Sequence, residues 1–259
     1  MKKVIIVQAR TGSTRLPGKI LKKVLGRTLL ECQIERLKRI SLADDLVIAT
    51  TTKKADNQIV DLVKNLGVKY YRGSEEDVLS RYYEAAKKNN ADLIIRITSD
   101  SPLNDPEIID YIIKFYLDNQ SKFDFVTVKL KKTLPSGVGA EVFPFHVLEQ
   151  AHFNARTQPE REHVSPYIYL NPQIFRIGNF EIDQDLSLHR WSLDEQDDFI
   201  LIEKIITALY SDNPNFGMKD CLDLLQMNPE WININAHVKP KNTVSELWKN
   251  KMKNIFKQH

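Results

Sequence analysis

Cysteine is nearly absent: Cys32 and Cys221 are the only two, far apart and in helix-like surroundings. That excludes a disulfide framework and a cysteine-based metal site and leaves both as small core residues. Long hydrophobic runs are missing too. No apolar stretch reaches the length of a membrane span, and the first residues form a short strand, not a signal peptide, so a cytoplasmic protein without a membrane partner is expected. The excess of one charge sign is slight, 37 Lys and Arg against 34 Asp and Glu. With no dense basic block outside the tail, nucleic acid is not an expected partner. Several active-site signatures are also lacking. Five residues separate Gly12 from Gly18 and Ile20 follows Lys19, so the spacing and hydroxyl of a P-loop are absent. Only one glycine lies near the end of the first strand, which excludes the G-x-G-x-x-G dinucleotide turn. No Ser-His-Asp or Cys-His arrangement stands out.

What is present suits one α/β domain: 259 residues, 42% hydrophobic and 27% charged. Apolar runs at 4–7, 46–49, 68–71 and 93–97 read as strands. Helical patterns at 29–40, 56–66, 77–88 and 106–117 alternate with them. Repeated βα units with continuous apolar strands imply a mainly parallel sheet covered on both faces. The second half is less regular. Strands are expected at 125–128, 140–143, 175–177 and 188–191, and helices at 145–155, 160–169 and 195–209. The reading is one domain, with a regular first half at 1–120, an elaborated second half at 121–235, and a basic tail at 236–259.

Ligands of such sheets bind beyond the C-terminal ends of the strands. That rule gathers 8–19, Thr50-Thr51-Thr52, Arg72-Gly73-Ser74 and Ser99-Asp100-Ser101 along one polar rim. The first segment is the most informative. Gln8-Ala9-Arg10-Thr11-Gly12-Ser13-Thr14-Arg15-Leu16-Pro17-Gly18-Lys19 offers close backbone approach, hydroxyls and cations to a polyanion. Asp100, just past a strand, suits a Mg²⁺ held against a triphosphate, or a turn or cap before Pro102. Asp194 is placed as an N-cap on the residues alone, with metal ligation as the alternative. Asp183 and Asp185 have the D-x-D spacing of metal-nucleotide sites but read as a surface turn. Arg161, Glu162 and His163 form a polar cluster on a helix.

Together these motifs resemble the cytidylyltransferases that activate acidic sugars, in particular their spore-coat polysaccharide synthesis branch. Tyr71-Arg72-Gly73-Ser74-Glu75-Glu76-Asp77-Val78-Leu79, Arg96-Ile97-Thr98-Ser99-Asp100-Ser101-Pro102-Leu103, Glu160-Arg161-Glu162-His163-Val164 and Arg190-Trp191-Ser192-Leu193-Asp194 carry the likeness, in order, from the start to about residue 230. The resemblance implies a Rossmann-like nucleotidyltransferase (GT-A-like) fold, a homodimer, and Mg²⁺-dependent transfer of CMP from CTP to a sugar. It makes Lys19, Arg10 and Asp100 catalytic, and Asp100 and Asp194 metal ligands. Ala9, Arg10, Thr11, Gly12, Ser13, Arg15, Lys19, Arg72, Ser74 and Thr98 are then expected around the nucleotide. Gly137, Glu141, Arg161 and His163 are expected around the acceptor. Thr98 stands where relatives acting on KDO carry a cytosine-reading Gln, and Ser99 where they carry Gly. A metal-dependent glycosyltransferase using Asp183 and Asp185, or an inactive nucleotide-binding protein, are the competing readings.

Overall fold

The computed structural model describes residues 1–239, so most of the expected basic tail lies outside the described residues. In chain order the elements begin with β1 (Lys3–Gln8), the short hairpin β2 (Lys23–Val24) and β3 (Arg27–Thr28), α1 (Leu29–Leu37), β4 (Asp45–Thr51) and α2 (Asn57–Asn65). Next come β5 (Lys69–Gly73), α3 (Val78–Lys88), β6 (Leu93–Thr98), α4 (Pro106–Asn119), β7 (Phe125–Thr127) and β8 (Glu141–Pro144). The rest are α5 (Phe145–Asn154), α6 (Gln158–His163), α7 (Pro166–Tyr169), β9 (Ile177–Asn179), α8 (Gln196–Tyr210) and α9 (Met218–Met227).

One seven-stranded sheet has the order β5-β4-β1-β6-β8-β7-β9. The pairs β5–β4, β4–β1 and β1–β6 are parallel, while β8 lies antiparallel between β6 and β7. The period of two decides how β1 is used. Ile5 and Val7 pack under α1, α4 and α8, while Val4 and Ile6 pack under α3 and α5. Both faces being covered explains why this strand is apolar throughout. Local chemistry sets the helix starts. Thr28 and Glu31 form a reciprocal capping box on α1, and Asp105 caps α4 ahead of Pro106. The expected α/β architecture, mostly parallel with helices on both faces, is the one observed.

The second half departs from expectation in several places. The single helix expected at 160–169 is two: Val164 adopts φ 71° and splits α6 from α7. Pro166, which has no N–H to donate, starts the second piece. The strand expected at 188–191 reduces to one bridge between Ser136 and Arg190. The strand expected at 175–177 falls instead at β9. The β2–β3 hairpin and α9 had no counterpart in the sequence reading. Because β8 runs back against β6, with Glu141 opposite Arg96, the 134–140 loop arrives at the rim where the parallel strands end.

Candidate active site

The 8–19 loop leaves β1 and is tied to its neighbours by its own backbone. Ala9 N donates to Ala49 O at 3.0 Å, and Ser99 N donates to Gln8 O at 3.1 Å. The Thr11 amide and hydroxyl both donate to Asp56 Oδ1, at 2.8 and 2.7 Å. Ser13 N and Gly18 N donate to Thr11 O at 2.9 and 3.0 Å, curling the loop on itself. Gly18, at φ 65°, makes the turn into the short 3₁₀ segment Lys19–Leu21. Arg10 extends from the loop with its Nη1 3.7 Å from Glu75 Oε1, a carboxylate shared with Lys53. Gly12 faces the same carboxylate: a Cβ there would stand 3.2 Å from Glu75 Oε1.

Lys19 is the focus of the site. Its Nζ lies 3.0 Å from Asp194 Oδ1 and 3.6 Å from Asp100 Oδ2, and it also donates to Leu193 O. Two carboxylates from opposite parts of the chain therefore converge on one nitrogen. A backbone bond fixes their spacing, Leu193 N donating to Asp100 O at 2.8 Å. Asp100 is oriented by Thr98, whose hydroxyl donates to Asp100 Oδ1 at 2.5 Å. Asp194 is not the helix cap. Glu195 is the N-cap residue of α8, its amide held by Asp198 Oδ2 at 2.9 Å, which leaves the Asp194 carboxylate to the site. Arg15 Nη2 lies 3.4 Å from Asp194 Oδ1, and its Nη1 lies 2.7 Å from Glu195 Oε1. Burial would raise the Asp194 carboxyl, but Lys19, Arg15 and Arg190 outweigh it and hold the group below the ordinary carboxylate range.

The remaining expected residues divide into those on the rim and those beneath it. Arg72 is committed to the loop after β4. Its Nε donates to Thr51 O and its Nη atoms to Asn57 Oδ1 and Lys53 O, all within 2.9 Å. The Ser74 hydroxyl accepts from Asp77 N at 3.0 Å. Gly137 takes φ 90°, and a Cβ there would come within 2.8 Å of Trp191 O; glycine lets this loop lie against the segment leading to Asp194. Glu141 was expected to face the acceptor, yet it is only 2% exposed. Arg96 Nη1, Lys129 Nζ and Ser165 Oγ each donate to its carboxylate at 2.8 Å, and Tyr169 OH donates as well. Burial opposes its ionisation, but Lys129 and Arg96 hold it down to about 2. With its oxygens so taken, Glu141 is a buried structural carboxylate beneath the rim and does not line it. Arg161 is likewise engaged, clamping Asp77 through Nε and Nη2, and His163 sits half-buried at the end of α6. Asp183 and Asp185 lie in an exposed turn, where Asp185 Oδ1 accepts from Ser187 N.

Sequence reasoning missed Asp56 and Glu75, which hold the phosphate-type loop, and gave no role to Arg190 and Asp198. Because α8 begins only at Gln196, no helical periodicity links Arg190, Asp194 and Asp198 in the sequence. Among the described residues, no group of three or more His, Cys, Asp and Glu is arranged to hold a metal ion. The donor set still fits a hard cation. Two converging carboxylates already flank a positive nitrogen, and Mg²⁺ is commonly bound by one or two carboxylates together with substrate phosphates and water.

A Rossmann-like sheet with a cationic loop after β1, and with Asp100 past β6 brought beside Asp194 ahead of α8, is a nucleotidyltransferase fold. The family model described as Cytidylyltransferase matches residues 4–232, and the chain belongs to that family. It is 42% identical to the uncharacterized protein MJ1063 of Methanocaldococcus jannaschii over 243 residues, 93% of this chain and 97% of the relative. It is 30% identical to the spore coat polysaccharide biosynthesis protein SpsF of Bacillus subtilis over 88% of this chain and 95% of the relative. Among solved structures, a cytidylyltransferase from Leptospira borgpetersenii serovar Hardjo-bovis superposes with a TM-score of 0.85 at 34% identity, covering 90% of this chain and 97% of that one. No helix among the described residues is long and apolar enough to cross a membrane.

Proposed function

We propose that this cytidylyltransferase transfers CMP from CTP to a hydroxyl of a sugar, an acidic one by the family resemblance, for cell-surface polysaccharide synthesis. The observation that carries the reading is the placement of Lys19 between Asp100 and Asp194 at the end of the cationic loop. The biosynthetic role rests on the likeness to SpsF. A homodimer and a cytoplasmic setting belong to the same proposal.

In the reaction, the sugar oxygen bonds to the α-phosphorus, the bond from that phosphorus to the bridging oxygen breaks, and pyrophosphate leaves with the electron pair. Such a transfer needs positioning and charge neutralisation more than covalent help. Arg10 and Lys19, with Arg15, neutralise the charge that grows on the leaving pyrophosphate. For Lys19 this means exchanging its carboxylate partners for phosphate oxygens. Asp100 and Asp194 would hold Mg²⁺, which supplies charge neutralisation at the α-phosphate and a lowered pKa for the attacking hydroxyl. Thr98 keeps Asp100 oriented. Arg72 and Ser74 flank the base or ribose, and Gly137, Arg161 and His163 shape the acceptor side above Glu141.

The test is pyrophosphate release from each nucleoside triphosphate with Mg²⁺ and a panel of acidic and amino sugars. Release confined to CTP and one sugar class is expected. Release from another triphosphate in preference to CTP would overturn the base assignment, and no Mg²⁺ requirement would overturn the metal assignment.

A further inference from the structure

The acidic pair is backed by an ion pair that nothing in the proposed reaction uses directly. Asp198 is fully buried at 0% exposure. Its Oδ2 accepts from the amides of Asp194 and Glu195, each at 2.9 Å, and from Arg190 Nη2 at 3.0 Å. Its Oδ1 accepts from Arg190 Nε at 2.8 Å and from Asn235 Nδ2 at 2.9 Å. The same Arg190 Nη2 reaches Asp194 Oδ2 at 3.1 Å. Asp194 therefore has one oxygen held from behind by Arg190, while Oδ1 is turned to Lys19 and Arg15.

We propose that Asp198 and Arg190 act as positioning residues, an arm that orients Asp194 and in which Asp198 balances the Arg190 charge so that a divalent cation can sit beside Asp194. This rests on the reading of Asp194 as a metal ligand. Helix capping alone accounts for the amide bonds to Asp198 but gives no reason to bury an arginine against it. The planar guanidinium grips Asp198 through two nitrogens, Nε and Nη2, while Nη2 also reaches Asp194, a fixed fork that a single ammonium lacks. The charge count explains why both acids are needed. Lys19, Arg15 and Arg190 all face Asp194; without Asp198, the third of these cations would have Asp194 as its main counter-ion and would oppose a metal there. Of the other nearby acids, Glu195 pairs with Arg15 and Asp197 is turned to His237, 3.1 Å away.

The experiment is Mn²⁺ binding in the presence of CTP, read from the signal of free Mn²⁺ by electron paramagnetic resonance, on the full chain and its variants. Asp198→Asn keeps the side-chain shape and an amide acceptor but removes the balancing charge; its Mn²⁺ affinity is expected to fall at least about tenfold. Adding Arg190→Gln to that variant removes the unbalanced cation and is expected to bring affinity back to within a few-fold of wild type. Wild-type affinity in Asp198→Asn, or a double variant as weak as the single one, overturns the proposal, because a purely structural role predicts no recovery. Should Asp198→Asn fail to fold, Arg190→Lys carries the test: it keeps the charge and loses the shared fork, affinity is expected to fall by a few-fold, and unchanged affinity overturns the proposal. Asp194→Asn separates the two readings. If that variant binds Mn²⁺ like wild type, the metal assignment itself fails.

Discussion

Lys19 is paired with the two carboxylates that the proposed reaction needs for a cation, and this pairing makes opposite predictions for two measurements. Lys19→Met is expected to lower kcat at least about 100-fold, the scale of one electrostatic contact in a closed site. The same variant is expected to bind Mn²⁺ more tightly than wild type when no nucleotide is present, because a competing ammonium has gone. Titration followed by electron paramagnetic resonance checks this; weaker binding would mean that Lys19 does not compete at the pair. Lys19 and Asp100 were legible in the sequence because each lies in a polar segment that follows an apolar strand. Asp194 was legible only as a choice between cap and ligand. The choice turns on Glu195 taking the N-cap position, a matter of one residue in a helix boundary. Arg190 carried no sequence signal of its own, since its value lies in reaching two carboxylates at once.

The elements of the second half around Glu141 were the harder ones to read. Residues 160–169 have a helical apolar stripe, but Val164 and Pro166 break it, and Ser165 and Tyr169 then turn down onto Glu141. Periodicity cannot register a break whose reason is a buried carboxylate contributed by another strand. Glu141 should also mark the acid limb of stability. Its carboxyl is held at about 2 against an ordinary 4.5, so its stabilisation is fully present above about 4.5 and is lost as pH falls toward about 2. Glu141→Gln is expected to flatten that part of the urea-denaturation pH profile while lowering stability at neutral pH by about 3–5 kcal/mol, because Arg96 is left buried without its counter-ion. An unaltered acid slope would contradict this account of the pair. The 134–140 loop offers a steric test. Gly137→Ala sets a Cβ within 2.8 Å of Trp191 O at φ 90°, and a loss of about 1–3 kcal/mol is expected. At about 2–4 °C per kcal/mol, a thermal melt would show it.

At the scale of the whole molecule, one sheet brings the cationic loop and both carboxylates to a common rim. The alternation of strand and helix made the parallel part of that sheet legible and placed the polar segments at its strand ends. The antiparallel entry of β8 between β6 and β7 was not legible, because the partner of a short strand is fixed by tertiary packing. That insertion carries the 134–140 loop to the rim where β6 ends. The direct test is to supply CTP labelled at the α-phosphate with Mg²⁺ and the sugar panel, and to follow the label. The account predicts label in a CMP-sugar, with unlabelled pyrophosphate formed in equal amount. Label retained in CTP with every sugar, or released as free CMP while no sugar is modified, would contradict it.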